Sequence, residues 1–373
     1  MSSRLQIAVC EALSLVRTSN VLEATALIRR ALSGDKSDEA HDEVHTGLAR
    51  FPSTTSRSLN APMKSGSTTP AARSFAPKEA RKPPSDKAPK EHNAISNFTT
   101  RNYHHVERDL SYMLYVPCSP SGHERSLLLM LHGCTQNPRD FALGTQMNKL
   151  AEEFNLIVAY PLQAKTANSS GCWNWFDARH QKHGCGEPAM LAALAEFLRS
   201  EFGVSENRVF AAGLSAGGAM AEILASTYPH QFAAVGVHSG LPYGAATSLS
   251  NAFGAMNGSS KREASSSAKS AKQSRRIIIH GSSDTTVHPS NADRIVDSAR
   301  RRSSALTEVA YTEDIDGREV VRIILMDKND SIVEQWIVAG GGHTWFGGNA
   351  KGSHTDSKGP DASRAMVKFF LSI

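Results

Sequence analysis

The chain has no apolar run approaching the roughly 20 residues that span a bilayer, so no membrane-spanning segment is expected. Its five cysteines, Cys10, Cys118, Cys134, Cys172 and Cys185, are too few and too odd in number for a disulfide-built scaffold. His180, His183 and Cys185 lack the second ligand pair of a zinc site, and neither a metal nor another cofactor is expected. The N-terminus is a poor secretory leader, because Gln6 and Glu11 interrupt its apolar stretch. A cytoplasmic location is the resulting expectation, with secretion left open. Charge singles out no partner either. Nine Lys/Arg against three Asp/Glu in residues 45–100 supply the whole net excess of +5. No basic patch interleaved with aromatics occurs elsewhere, so nucleic acid is not an expected partner.

What is present suffices for one large core, since 40% of the 373 residues are hydrophobic. In residues 1–34, Leu5, Val9, Ala12, Leu13 and Val16 recur at helical spacing, as do Ala24, Leu27, Ile28, Ala31 and Leu32. This predicts a small helical hairpin. It is either a loosely ordered leader or a docking element, buried against a storage granule, a partner or a second copy. Residues 35–100 are rich in Ser, Thr, Pro, Lys and Arg and predict a disordered linker. Residues 101–373 then form the principal domain, with the Ser/Ala/Lys-rich stretch 244–275 as a flexible surface insertion.

Within that domain, apolar strands are expected at 111–116, 126–131, 156–160, 208–213, 233–237, 276–279 and 336–338. Helices are expected at 188–202, 216–228 and 361–371. Near-continuous apolar strands separated by helices predict an α/β fold, a mostly parallel sheet covered on both faces.

The most informative stretch is Gly213-Leu-Ser215-Ala-Gly217, because a strand leads in and a helix leads out. Such a turn exposes a serine Oγ above the sheet, and its glycines allow strand and helix to pass closely. A serine hydroxyl needs a base, and the base an orienting acid. Two loops at later strand ends offer them in the order nucleophile, acid, base: Asp284 in His280-Gly-Ser-Ser-Asp-Thr-Thr-Val-His288, and His343 in Ala339-Gly-Gly-Gly-His-Thr-Trp345. His280 and His288 are rival bases, and Ser-Ser-Asp-Thr is also ordinary turn sequence. The backbone N–H groups of Cys134, in Leu131-His-Gly-Cys-Thr-Gln136, and of Ala216 are candidates for an oxyanion hole. The aromatic run Cys172-Trp-Asn-Trp-Phe176 and Trp345 suggest Trp173, Trp175 and Trp345 as substrate-binding residues, although such density is also usual in a core.

Taken with Gly186-Glu-Pro188 and the stretch from Gly352 to Arg364, these motifs resemble the polyhydroxybutyrate-depolymerase-type esterases. That branch of the α/β-hydrolases also contains feruloyl and acetylxylan esterases. The resemblance runs through most of residues 105–373. It implies a Ser215–His343–Asp284 triad and hydrolysis of short hydroxyacyl esters, soluble or amorphous. Feruloyl or acetyl esters of carbohydrates are the alternative within enzymes, and a granule- or partner-docking interaction protein is the alternative outside them. Cys134 and Cys172 should lie close, because both belong to loops proposed to rim the site. A bridge between them would pin the two loops together, whereas a reducing cytoplasm would oppose it, and the sequence leaves the bond open.

Overall fold

Ser126-Leu-Leu-Leu-Met-Leu131 shows why this chain builds a layered sheet. All six residues are buried, so the strand has no face that tolerates water. The computed structural model describes residues 97–118, 122–259, 273–302, 305–328 and 330–372. The expected hairpin at 1–34, nearly all of the linker and residues 260–272 of the insertion lie outside them.

The strands are β1 (Phe98–Tyr103), β2 (Leu110–Tyr115), β3 (Ser126–Leu131), β4 (Leu156–Pro161), β5 (Val209–Leu214) and β6 (Ala234–His238). They continue with β7 (Arg275–Gly281), β8 (Thr307–Ile315), β9 (Arg318–Asp327) and β10 (Asp330–Val338). These ten form one sheet in the order β1-β2-β4-β3-β5-β6-β7-β10-β9-β8. From β4 to β10 every pairing is parallel. Antiparallel strands extend both edges. Two short strands, β11 (Trp345–Phe346) and β12 (Thr355–Asp356), pair separately.

The helices are α1 (Pro138–Thr145), α2 (Met147–Phe154), α3 (Gly186–Glu201), α4 (Ala216–Thr227), α5 (Leu249–Met256), α6 (Ser290–Arg302) and α7 (Ala362–Leu371). The period-two alternation of strand side chains divides the interior into two layers. Leu127, Leu129 and Leu131 of β3 pack in one layer with Leu191 and Leu194 of α3 and Met220 and Leu224 of α4. Leu128 and Met130 pack in the other with Phe141 of α1, Leu150 of α2 and Phe370 of α7. Among the described residues, no helix is long and apolar enough to cross a membrane.

Several elements were not expected from the sequence: β1, β8, β9, β11, β12, α1, α2, α5 and α6. The stretch 244–275 is not wholly irregular, since it contains α5, whose Ala252 and Ala255 are buried. The β8–β9 hairpin was not expected at all. It turns on Asp316-Gly317, both at positive φ (51° and 77°), with Ile315 opposite Arg318. That is the two-residue loop whose twist suits a hairpin.

Helix α4 crosses β3 so closely that a Cβ on Gly217 would lie 2.0 Å from the Leu131 carbonyl oxygen. Gly254, inside α5, has nothing within 4 Å of its Cβ position. Gly217→Ala should therefore cost about 3 kcal/mol or more, because the obstructing atoms are backbone and cannot retreat. Gly254→Ala should stabilise by about 0.5–1 kcal/mol through reduced backbone freedom. Urea unfolding midpoints check both, and a neutral Gly217→Ala would contradict the close crossing.

Candidate active site

The candidate groups arise at the carboxyl ends of neighbouring parallel strands, where an open α/β sheet leaves its crevice. Between β5 and α4, Ser215 adopts φ 57° and ψ −117°, a conformation that side-chain-bearing residues rarely hold. It is held there at both ends. Ser215 N–H donates to the His238 carbonyl at 2.9 Å, and its own carbonyl accepts from Ala219 N–H at 2.9 Å. A Cβ on Gly213 would lie 2.4 Å from the Gly217 carbonyl carbon, so this turn requires glycine on both sides of the serine.

Asp284 and His343, 59 residues apart in sequence, meet directly: His343 Nδ1 donates to Asp284 Oδ2 at 2.7 Å. The Asp284 side chain is fully buried, whereas His343 keeps 15% of its surface exposed. Oδ1 accepts from the N–H groups of Thr286 and Val287 at 2.9 and 2.8 Å. Burial alone would push this carboxyl up. Hydrogen bonds from His280 and His343, the charge of His343 and the Val287 N–H outweigh burial and hold it well below the usual carboxylate range. His280 and His288 do not take the place of His343. His280 is fully buried on β7, and His288 Nδ1 pairs with Ser290 Oγ at 2.9 Å.

The loop after β3 contains Cys134. The N–H groups on either side of it are committed: Gly133 donates to Gln136 Oε1 at 2.9 Å, and Thr135 to the Ser170 carbonyl at 2.9 Å. The Ala216 N–H belongs to the first turn of α4, where no intrahelical carbonyl can accept it. Gly133 also approaches the nucleophile turn, since a Cβ there would lie 3.7 Å from the Ser215 Cβ. Cys134 and Cys172 are joined in a disulfide, with Cα atoms 4.2 Å apart. The expected proximity is present, and the bond that the sequence left open is formed.

The tryptophans require a correction. Trp173 and Trp345 are fully buried and Trp175 is 6% exposed, so none offers a face to a substrate in this conformation. Trp173 packs on His132 at 5.8 Å. Trp345 stacks on His238 at 4.9 Å, and its Nε1 donates to Ser363 Oγ at 3.0 Å. Trp173 and Trp175 belong to one core layer and Trp345 to the other.

Sequence reasoning missed the groups that hold these loops. Gln136 Nε2 donates to the Ser353 carbonyl at 3.0 Å and to Asp140 Oδ2 at 3.2 Å, tying the Cys134 loop to the segment after His343. Glu187 is buried and accepts from Asn174 N–H and Nδ2 and from Gln163 Nε2, which anchors the aromatic loop on α3. A carboxamide and a carboxylate inside otherwise apolar or Gly-rich motifs were the available signal. Two surface cavities of about 390 and 690 Å³ are lined by none of the candidate residues.

Two outcomes test the geometry. Reduction, or Cys172→Ser, should lower stability by about 2–4 kcal/mol, because the bond closes a loop of 38 residues. A thermal midpoint unchanged by reductant would contradict the bond. The depressed Asp284 carboxyl contributes stability above its unfolded value of about 3.9, and that contribution is lost as pH falls below it. Between about pH 4 and pH 2 the wild type should therefore lose stability more steeply than Asp284→Asn in denaturant titrations. Equal slopes would remove the hydrogen-bonded carboxylate from the account.

The family model described as "Esterase PHB depolymerase" matches residues 110–321. Poly(3-hydroxyalkanoate) depolymerase C of Paucimonas lemoignei is 29% identical over 258 residues, 67% of this chain and 60% of that protein. Acetylxylan esterase A of Talaromyces purpureogenus is 30% identical over 193 residues, 48% of this chain and 50% of that protein. The chain thus spans between half and three fifths of the length of these relatives. A solved acetyl xylan esterase from Aspergillus awamori superposes with a TM-score of 0.56 at 24% identity, covering 70% of this chain and 93% of that one. That likeness supports the α/β-hydrolase fold. With the family model matching more than half of its residues, the chain belongs to the PHB depolymerase esterase family.

Proposed function

We propose that the protein is a serine carboxylester hydrolase acting on short hydroxyacyl esters. The observation that carries this reading is the buried Asp284 carboxylate bonded to His343 at 2.7 Å, at the same strand ends as the strained Ser215 turn. Asp284 accepts from Nδ1, so Nε2 of a neutral His343 is the bare nitrogen that can take a proton. In the proposed reaction Ser215 Oγ attacks the ester carbonyl carbon while His343 Nε2 removes the hydroxyl proton. Asp284 holds the imidazole in that tautomer and stabilises the imidazolium that forms. The N–H groups of Cys134 and Ala216 meet the developing oxyanion. His343 then returns the proton to the departing alcohol, leaving an acyl-serine. Water, deprotonated by the same nitrogen, releases the acid and restores Ser215.

The hydroxyacyl preference is supported by the depolymerase relatives, whose names specify poly(3-hydroxyalkanoate) and poly(3-hydroxybutyrate). Deacetylation of carbohydrate is a second reading, supported by the acetylxylan esterase relatives. The Cys134–Cys172 bond favours an oxidising compartment over the cytoplasm first expected. Every residue of the proposed reaction lies from Cys134 to His343, which supports a catalytic domain at 101–373 with residues 1–100 outside the chemistry.

Ser215→Ala should abolish ester hydrolysis, a loss on the order of 10⁴ to 10⁶ in turnover, and prevent labelling by a fluorophosphonate. Retained activity would overturn the nucleophile assignment. Nitrophenyl esters of graded chain length, hydroxybutyrate oligomers and acetylated xylan, assayed in parallel, separate the two substrate readings. Faster release of acetate from xylan than of hydroxybutyrate from its oligomers would favour the second.

A further inference from the structure

His280 lies one residue from the end of β7, is fully buried and takes no part in the proton path above. Its Nε2 stands 2.8 Å from the Val287 carbonyl oxygen and 3.3 Å from Asp284 Oδ2. A carbonyl oxygen only accepts, so Nε2 carries the hydrogen and shares it between the two oxygens. Its Nδ1 is buried, with no hydrogen-bond partner among the described residues. A fully buried ring that aims Nε2 at two oxygens of the acid loop calls for a reason.

The reason lies in the bonds around the acid. Val287 N–H donates to Asp284 Oδ1, the Val287 carbonyl accepts from His280, and the same His280 N–H reaches Oδ2. These contacts close a ring that contains both carboxylate oxygens. Thr286 N–H adds a second donor to Oδ1, and His343 a second donor to Oδ2. A carboxylate offers about four lone-pair directions: three accept hydrogen bonds, and the fourth faces His280 Nε2 at 3.3 Å. Without His280, Oδ2 would be held only by the imidazole that it has to orient, and the carboxylate could turn about its Cβ–Cγ bond.

The two branches of the His280 bond divide the work. The Val287 branch has ordinary length and fixes the turn. The Asp284 branch is slightly longer than the usual N–H···O range of about 2.7–3.2 Å and acts as a limit on rotation. We propose that His280 is a positioning residue of this site, setting the plane in which Asp284 meets His343 by gripping the Val287 carbonyl and Asp284 Oδ2 together. This rests on the Ser215–His343–Asp284 reading above.

Two neutral amides that differ by one methylene test it. In His280→Gln the amide nitrogen can reach the position of Nε2, whereas in His280→Asn it falls short. Both side chains are polar and neither overfills the site. Turnover of a short nitrophenyl ester, per molecule titrated with fluorophosphonate, should stay within about threefold of wild type for His280→Gln and fall about tenfold to a hundredfold for His280→Asn. KM should be unchanged in both. In an Asp284→Ala background the difference between the two amides should vanish, because the group being positioned is gone. A His280→Asn variant as active as His280→Gln would overturn the proposal. So would an equal ratio between them in both backgrounds, which is the mark of a structural role alone. Ser215→Ala, run alongside, tests the underlying reading separately, because it must abolish turnover whatever stands at position 280.

Discussion

The passage of α4 across the end of β3 is the constraint from which the rest of the site follows. The crossing leaves no room for a side chain at Gly213 or Gly217, where a Cβ would fall within 2.6 Å of backbone atoms. Strand β5 therefore has to turn into α4 within one residue, and that residue, Ser215, takes a strained backbone at φ 57°. Strain of this kind persists only where the surroundings over-determine it. Here β3, β5 and β6 do so together, through the Leu131 carbonyl beside Gly217 and the His238 carbonyl on Ser215 N–H. The nucleophile candidate is thus positioned by the packed core, with no contribution from its own flexible side chain.

The remaining parts stand on loops, and loops need separate restraint. Each is held from behind by a buried polar group or a covalent bond. Gln136 and Asp140 tie the Cys134 loop to Ser353, beyond β11. The disulfide joins the same loop to Cys172, and Glu187 anchors the residues that follow through Asn174. His132 completes the set: it donates from Nδ1 to the Gly133 carbonyl, and its Nε2 accepts Gln163 N–H. Burial pushes this imidazole below its ordinary range, which suits a ring that must both donate and accept. The three buried tryptophans lie in the core layers, Trp173 and Trp175 in one and Trp345 in the other.

How legible all this was in the sequence depended on what each residue buries. Strand β3 was read to the residue because both its faces are apolar, a pattern with few alternatives. Ser215, Asp284 and His343 were proposed from chain order and from their places after strands, and the structure brings Asp284 and His343 together at 2.7 Å. Strand β8 was invisible because nearly every side chain in it is exposed, and mixed polar sequence carries no period. Its one signal was the turn pair Asp316-Gly317, which lacked apolar flanks to lend it weight. The tryptophans misled for the opposite reason. An indole serves a core or a binding surface equally well, and only packing against His132, Phe141 and His238 decides between them. The closeness of Cys134 and Cys172 was legible from their two loops, but the bond was not, because a sequence does not show the redox state around it.

Histidine count alone could not have selected the base, since three imidazoles surround one carboxylate. Burial separates them. His238 is fully buried and stacked on Trp345. Burial drives its protonation well below the ordinary range, and the nearby imidazoles His280 and His343 add to the effect. Its Nε2 accepts from Phe346 N–H, so that nitrogen is already engaged. His280 is equally buried, and its Nε2 hydrogen is committed to Val287 and Asp284. Only His343 bonds Asp284 through one nitrogen while keeping part of its surface open. A group that shuttles protons must reach both an orienting acid and the reacting atoms, and a fully enclosed ring can reach only the first. The two enclosed histidines therefore serve the third. In the proposed reaction one supports the strand end beneath it and the other holds the acid, and the partly open His343 is the ring placed to pass the proton.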